Sequence, residues 1–260
     1  MTFPPLLFAL LMWFVGTAAV VWLDSRPRAT FRTSFRLAGV AALAATGAIW
    51  WVARDASASG AYIGFAAAIV IWGWHEMGFL MGFVAGPRRT PCPAGATGMA
   101  RFRAATETVI HHEVALAATA IALFILCWGQ PNQGAPLTFA LLFALRLSAK
   151  INLFLGVANL SDEIFPAHLA YLKTYFGTRP INVWYPVSLA LGVAQVIWAW
   201  NFAQGSSGGT AITAMLLVGL GALGVVEHLF LVLPLRDGKM WVWASAAKPK
   251  NKAVRTATLD

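Results

Sequence analysis

The sequence predicts an all-α, polytopic membrane bundle of about seven transmembrane helices, with the N-terminus outside, the C-terminus cytoplasmic and a short interfacial helix near 166–177. Three observations carry this. Of 260 residues, 59% are hydrophobic and only 11% are charged, against roughly 25% charged in soluble domains. Seven apolar segments reach the roughly 20 residues that a helix needs to cross a bilayer. Lys and Arg collect on alternate connections between those segments.

The segments lie at roughly 3–23, 34–53, 61–86, 104–128, 136–159, 186–203 and 211–233. The first, in "MTFPPLLFALLMWFVGTAAVVWLDSRPR", lacks a positive n-region and is followed by its arginines, so it is expected to stay as an uncleaved helix. The connections "PRRTPCPAGATG", "GQPNQGAP" and "QGSSGG" are Gly- and Pro-rich loops. In "LSDEIFPAHLAYLKTYFGTRPINVWY", Pro166 can start a short helix closed by Gly177, and its aromatic residues suit the headgroup level. The chain thus divides into one transmembrane domain, 1–235, and a basic cytoplasmic tail, 236–260.

Charge placement sets the orientation. Arg26, Arg28, Arg32 and Arg36 fall in one loop and Arg88, Arg89, Arg101 and Arg103 in another. Lys173 and Arg179 occupy a third, and Arg236, Lys239, Lys248, Lys250, Lys252 and Arg255 the tail. Arg54 stands alone on the other side. The formal net charge of +9 would suggest nucleic acid in a soluble domain. Here it marks the inner face of a membrane, so the partner it implies is the lipid bilayer and no nucleic acid. Cys92 and Cys127 are expected at opposite ends, beyond disulfide reach.

Only ten acids exist in the chain. Glu76, Glu107, Glu113 and Glu227 fall inside spans, and Asp162 and Glu163 at the end of the fifth. The histidines accompany them: His75, His111, His112, His168 and His228. At about 1.5 Å per residue these groups share one depth in the cytoplasmic half. Each ionised group in hydrocarbon is costly unless paired, so the convergence needs a reason. Carboxylates and imidazoles from several helices are what an iron, manganese or zinc site in a bundle requires.

The expected ligand set is His75, Glu76, Glu107, His111, His112, Glu163, His168, Glu227 and His228. Glu107 and His111, four apart, share a helix face that is expected to look inward. His112 could still reach the site, and Glu113 is expected to point elsewhere. Six carboxylates against Arg146 and Lys150 leave an excess that two divalent ions would cancel. Two other readings stay open: a metal-free polar network or proton path, and tetrapyrrole ligation by one or two histidines. Arg146 and Lys150 can also serve simply to neutralise carboxylates. A transporter is a weaker option, because no broken-helix pair or repeat supports it.

The stretches "WGWHEMGFLMGFVAGPRR", "RFRAATETVIHHEVA", "NLSDEIFPAHLAYLKTYF" and "EHLFLVLPL" resemble the PuhE family of photosynthetic complex assembly proteins, found beside reaction-centre genes in purple phototrophic bacteria. The resemblance implies a role in building the reaction centre and core antenna, through bacteriochlorophyll supply, in the bacterial inner or intracytoplasmic membrane. It implies reaction-centre or core antenna subunits and pigment-synthesis proteins as partners, and bacteriochlorophyll or a precursor as ligand. It carries over no catalytic residues. Two classes of function follow. One is a di-iron-type oxidoreductase acting on a tetrapyrrole or isoprenoid intermediate, and the other a non-catalytic assembly factor. In either, His168 and its segment are expected to fold back over the buried groups as a lid.

Overall fold

The computed structural model describes residues 4–160, 166–233 and Trp243. The expected basic tail therefore lies outside the described residues, apart from Trp243. Among the described residues, seven helices long and apolar enough to cross a membrane follow one another. They are α1 (Pro5–Asp24), α2 (Phe31–Val52), α3 (Ala58–Leu80), α4 (Gly98–Leu126), α5 (Gly134–Leu155), α6 (Trp184–Gln204) and α7 (Gly208–Phe230). No strand occurs among the described residues.

The third helix is the hub. It packs against α1, α2, α4, α5 and α7 and is buried over more than half of its span, whereas α1 buries little of its own. Without water to drive apolar surfaces together, transmembrane helices associate through close packing of small residues. The interface of α2 with α3 is made that way, from Ala42 and Ala45 against Ala67 and Ala68, with Leu116 and Ala120 of α4 completing the cluster. A second cluster joins Ala9 of α1 to Phe65, Ile69, Leu142, Leu216 and Leu220.

Connections at one end are tied by hydrogen bonds that involve backbone groups. Ser57 caps α3 by accepting from the Gly60 amide at 3.2 Å. Asn132 donates to the Val52 carbonyl at 3.0 Å, and the Gly209 amide donates to Ala56 at 2.9 Å. The basic loops occupy the opposite end, in agreement with the alternation of charge along the sequence.

Two helix boundaries differ from expectation, for one reason. The third span ends at Leu80, not near 86, because Gly82 (φ 80°) turns the chain. The apolar stretch that follows lies against α4, which starts at Gly98, earlier than expected. The Arg88 amide donates to the Glu107 carbonyl at 3.2 Å, and the His112 amide, in the middle of α4, donates to Ala85 at 3.0 Å. Gly86 permits this approach: a Cβ there would stand 2.0 Å from the Glu107 carbonyl oxygen.

The segment after Pro166 is a 3₁₀ helix, Ala167–Tyr175. It is seated in the bundle end rather than laid on its surface: Leu169, Leu172 and Tyr175 are buried, the first two against Phe79 and Ala85.

Candidate functional site

The polar centre sits where α3, α4 and α5 meet. From α3, Glu76 points inward and is nearly buried. Its Oε2 accepts from the Arg146 guanidinium at 3.1 Å, and its Oε1 lies 3.7 Å from His112 Nε2. Arg146 and Lys150 are one helical turn apart on α5, so both cations face the same neighbours. The Lys150 ammonium donates to Glu113 Oε1 and stands 5.3 Å from the centre of the Phe79 ring. Phe79 in turn lies 4.8 Å, ring to ring, from His112, which has no exposed surface at all.

Two carboxylates therefore meet two cations, with an imidazole wedged beside them. Of the acids counted toward the expected charge excess, Glu76 reaches Arg146 and Glu113 reaches Lys150. The centre is not fully satisfied, however. Glu76 Oε1, Glu113 Oε2, Arg146 Nε and both ring nitrogens of His112 are buried with no hydrogen-bond partner among the described residues. Orphaned buried polar atoms are rare in folded proteins and commonly mark a functional site.

The structure also corrects the expected face of α4. Glu107 is exposed and bonded to Arg88 at 2.9 Å, and His111 is exposed. The buried stripe runs through Ala104, Thr108, His112, Leu116, Ala120 and Leu123. Glu107 and His111 share a face as expected, but it is the outer one, and Glu113 looks inward.

The hydrogen bonds of His75, His168 and His228 go to other partners. His75 Nε2 is bonded to Thr119 of α4 at 2.9 Å. His228 bridges Ser148 of α5 at 2.9 Å and the Gly224 carbonyl of its own helix at 2.8 Å, while Glu227 beside it is exposed. His168 Nε2 donates to the Leu80 carbonyl at 2.8 Å, which ties its segment to the end of α3. Asp162 and Glu163 lie outside the described residues. Among the described residues, no group of three or more His, Cys, Asp or Glu side chains is placed to hold a metal ion.

Sequence reasoning missed Thr119 and Ser148, the hydroxyl partners of His75 and His228. It also missed a buried amide network. Asn152 on α5 donates to Ser188 of α6 at 3.0 Å, and Asn182 donates to the Asn152 side chain at 3.1 Å and the Gly156 carbonyl at 2.8 Å. The signal was present in "RLSAKIN", where polar residues recur every two residues along one apolar helix.

Residues 1–252 match a family described as a protein of unknown function, DUF3623. The chain is similar to an uncharacterised 30.4 kDa protein in the puhA 5′ region of Rhodobacter capsulatus. The two are 37% identical over 242 residues, which cover 91% of this chain and 88% of that protein. These matches bear out the resemblance to the PuhE family read from the four sequence stretches. No solved structure matches the chain. A helical membrane bundle matched over nearly its whole length by one family model, this chain belongs to the DUF3623 family.

Proposed function

We propose that the protein is a non-catalytic membrane factor for assembly of the photosynthetic reaction centre and core antenna, acting beside bacteriochlorophyll supply in the inner or intracytoplasmic membrane. The relative in the puhA 5′ region supports the setting. One observation favours a non-catalytic centre: Glu76 and Glu113 are matched by Arg146 and Lys150, so the buried charges cancel and lock three helices into one register. Polar and ionic groups inside a bundle can select one packing among several of similar apolar energy.

A deletion strain tests the assignment. This reading expects loss of assembled complexes with no build-up of a chemically distinct pigment intermediate. Accumulation of one tetrapyrrole or isoprenoid precursor would instead assign catalysis.

The metal reading retains one specific support. Glu76 Oε1 and His112 Nε2, 3.7 Å apart, are both orphaned and are the donor types that iron, manganese or zinc accept. Two donors fall short of the four that a closed site uses. Elemental analysis of the purified protein decides this: a stoichiometric redox metal that is lost in His112→Ala would restore the oxidoreductase reading.

A further inference from the structure

We infer that the basic end of the bundle carries a binding site for a phosphate group, presented there by the headgroup of an anionic phospholipid. A cavity of about 300 Å³ opens between three segments distant in sequence, and Arg28, Arg32 and Arg89 line it together with His168. Among the described residues that line it there is no carboxylate.

These arginines differ from their neighbours. Arg88 is held by Glu107, Arg101 donates to the carbonyls of Phe154 and Tyr175, and Arg146 is held by Glu76. Among the described residues, Arg28, Arg32 and Arg89 have no hydrogen-bond or ion-pair partner for their side chains. Three guanidinium groups gathered around one cavity repel one another, and an anion placed between them relieves that repulsion. Their field is felt locally: burial first, and then Arg28 and Arg89, depress the titration of His168, opposed by its bond to Leu80.

The shape of the cavity favours a lipid. Phe31 opens α2 and Met81 directly follows α3, so the cavity lies where the helices leave the hydrocarbon. Those two buried side chains and the exposed Phe83 provide apolar wall for the glycerol and upper acyl region. The planar fork of Arg matches phosphate oxygens in a bidentate way, and basic pockets between transmembrane helices suit anionic headgroups.

Native mass spectrometry of the full chain in detergent tests this with three probes: phosphatidylglycerol, phosphatidylcholine and inorganic phosphate. Phosphatidylglycerol adducts should survive activation that strips phosphatidylcholine. The double variant Arg28→Gln/Arg89→Gln should lower their retention at least about tenfold, the size of losing charge-assisted hydrogen bonds. Arg103→Gln, a charge removed from the same end but outside the cavity, should change it less than about twofold. Displacement of phosphatidylglycerol by millimolar inorganic phosphate would keep the phosphate site and assign it to the free ion. Equal retention by the wild type and the double variant, or an equal loss in Arg103→Gln, would overturn the proposal.

Discussion

The ammonium of Lys150 on α5 donates to the carboxylate of Glu113 on α4, and this contact fixes which face of α4 looks into the bundle. Glu107, six residues earlier, is on the outer face with Arg88. Both acids sit in the same predicted span, and only one is shielded by protein.

Their substitutions should separate accordingly. Glu113→Gln leaves Lys150 buried without its counter-charge, and breaking a buried pair costs about 3–5 kcal/mol. Glu107→Gln removes an exposed ion pair and should leave stability nearly unchanged. Thermal unfolding in detergent, with protein abundance in membranes alongside, should show the first variant depleted and the second near wild type.

Why the sequence favoured the opposite face is instructive. A helical repeat of about 100° per residue fixes the angle between Glu107, His111 and Glu113, but not which of them points to the protein. That direction was carried by the weakly polar and apolar stripe Ala104, Thr108, His112, Leu116, Ala120, which an emphasis on charged residues passes over. The helices themselves were legible because a bilayer sets their length. The end of α3 was not, since the apolar run after Leu80 reads alike as helix or as a segment buried against α4. Pairing of Arg146 and Lys150 with carboxylates was legible as charge, and the hydroxyl partners of His75 and His228 were not, because Ser and Thr are commonplace in such helices.

The junction of the 84–88 segment with α4 depends on Gly86. Gly86→Ala sets a methyl group against backbone that has no rotamer to yield, and overpacking of this kind costs about 1–3 kcal/mol or more. Gly47→Ala, where nothing lies within 4 Å, should be neutral or slightly stabilising through helix propensity. The difference between the two melting temperatures checks the inserted segment.

Orientation is checked by the two free cysteines. Cys127 is buried and should label slowly from either side. Cys92 is partly exposed at the basic end, its amide bonded to Thr174 at 2.8 Å. A membrane-impermeant maleimide should modify Cys92 in inside-out vesicles and not in sealed cells; labelling in sealed cells would reverse the topology.

At the basic end, burial holds the His168 imidazole below its usual range. The unfolded chain therefore takes up a proton more readily than the folded one as pH falls below about 6.5. The stability that neutral His168 contributes is present above that pH and is lost as pH falls through the folded value. Between pH 7.5 and 5.5 the melting temperature of the wild type should fall further than that of His168→Gln. Equal falls would remove His168 from the pH response.

The central claim, that the buried charges organise the bundle rather than perform chemistry, is tested most directly by a double-mutant cycle on Glu113 and Lys150. Glu113→Gln, Lys150→Met and the double variant are expressed in a deletion strain, and the assembled reaction-centre and core antenna complexes are quantified from membrane absorbance. Each single substitution leaves one uncompensated buried charge, whereas the double one leaves none, and replacing both members of a buried pair is often neutral. The account predicts that both single variants lose most of the complexes and that the double variant recovers them. A double variant as defective as the worse single one would contradict it and make these charges part of a reaction.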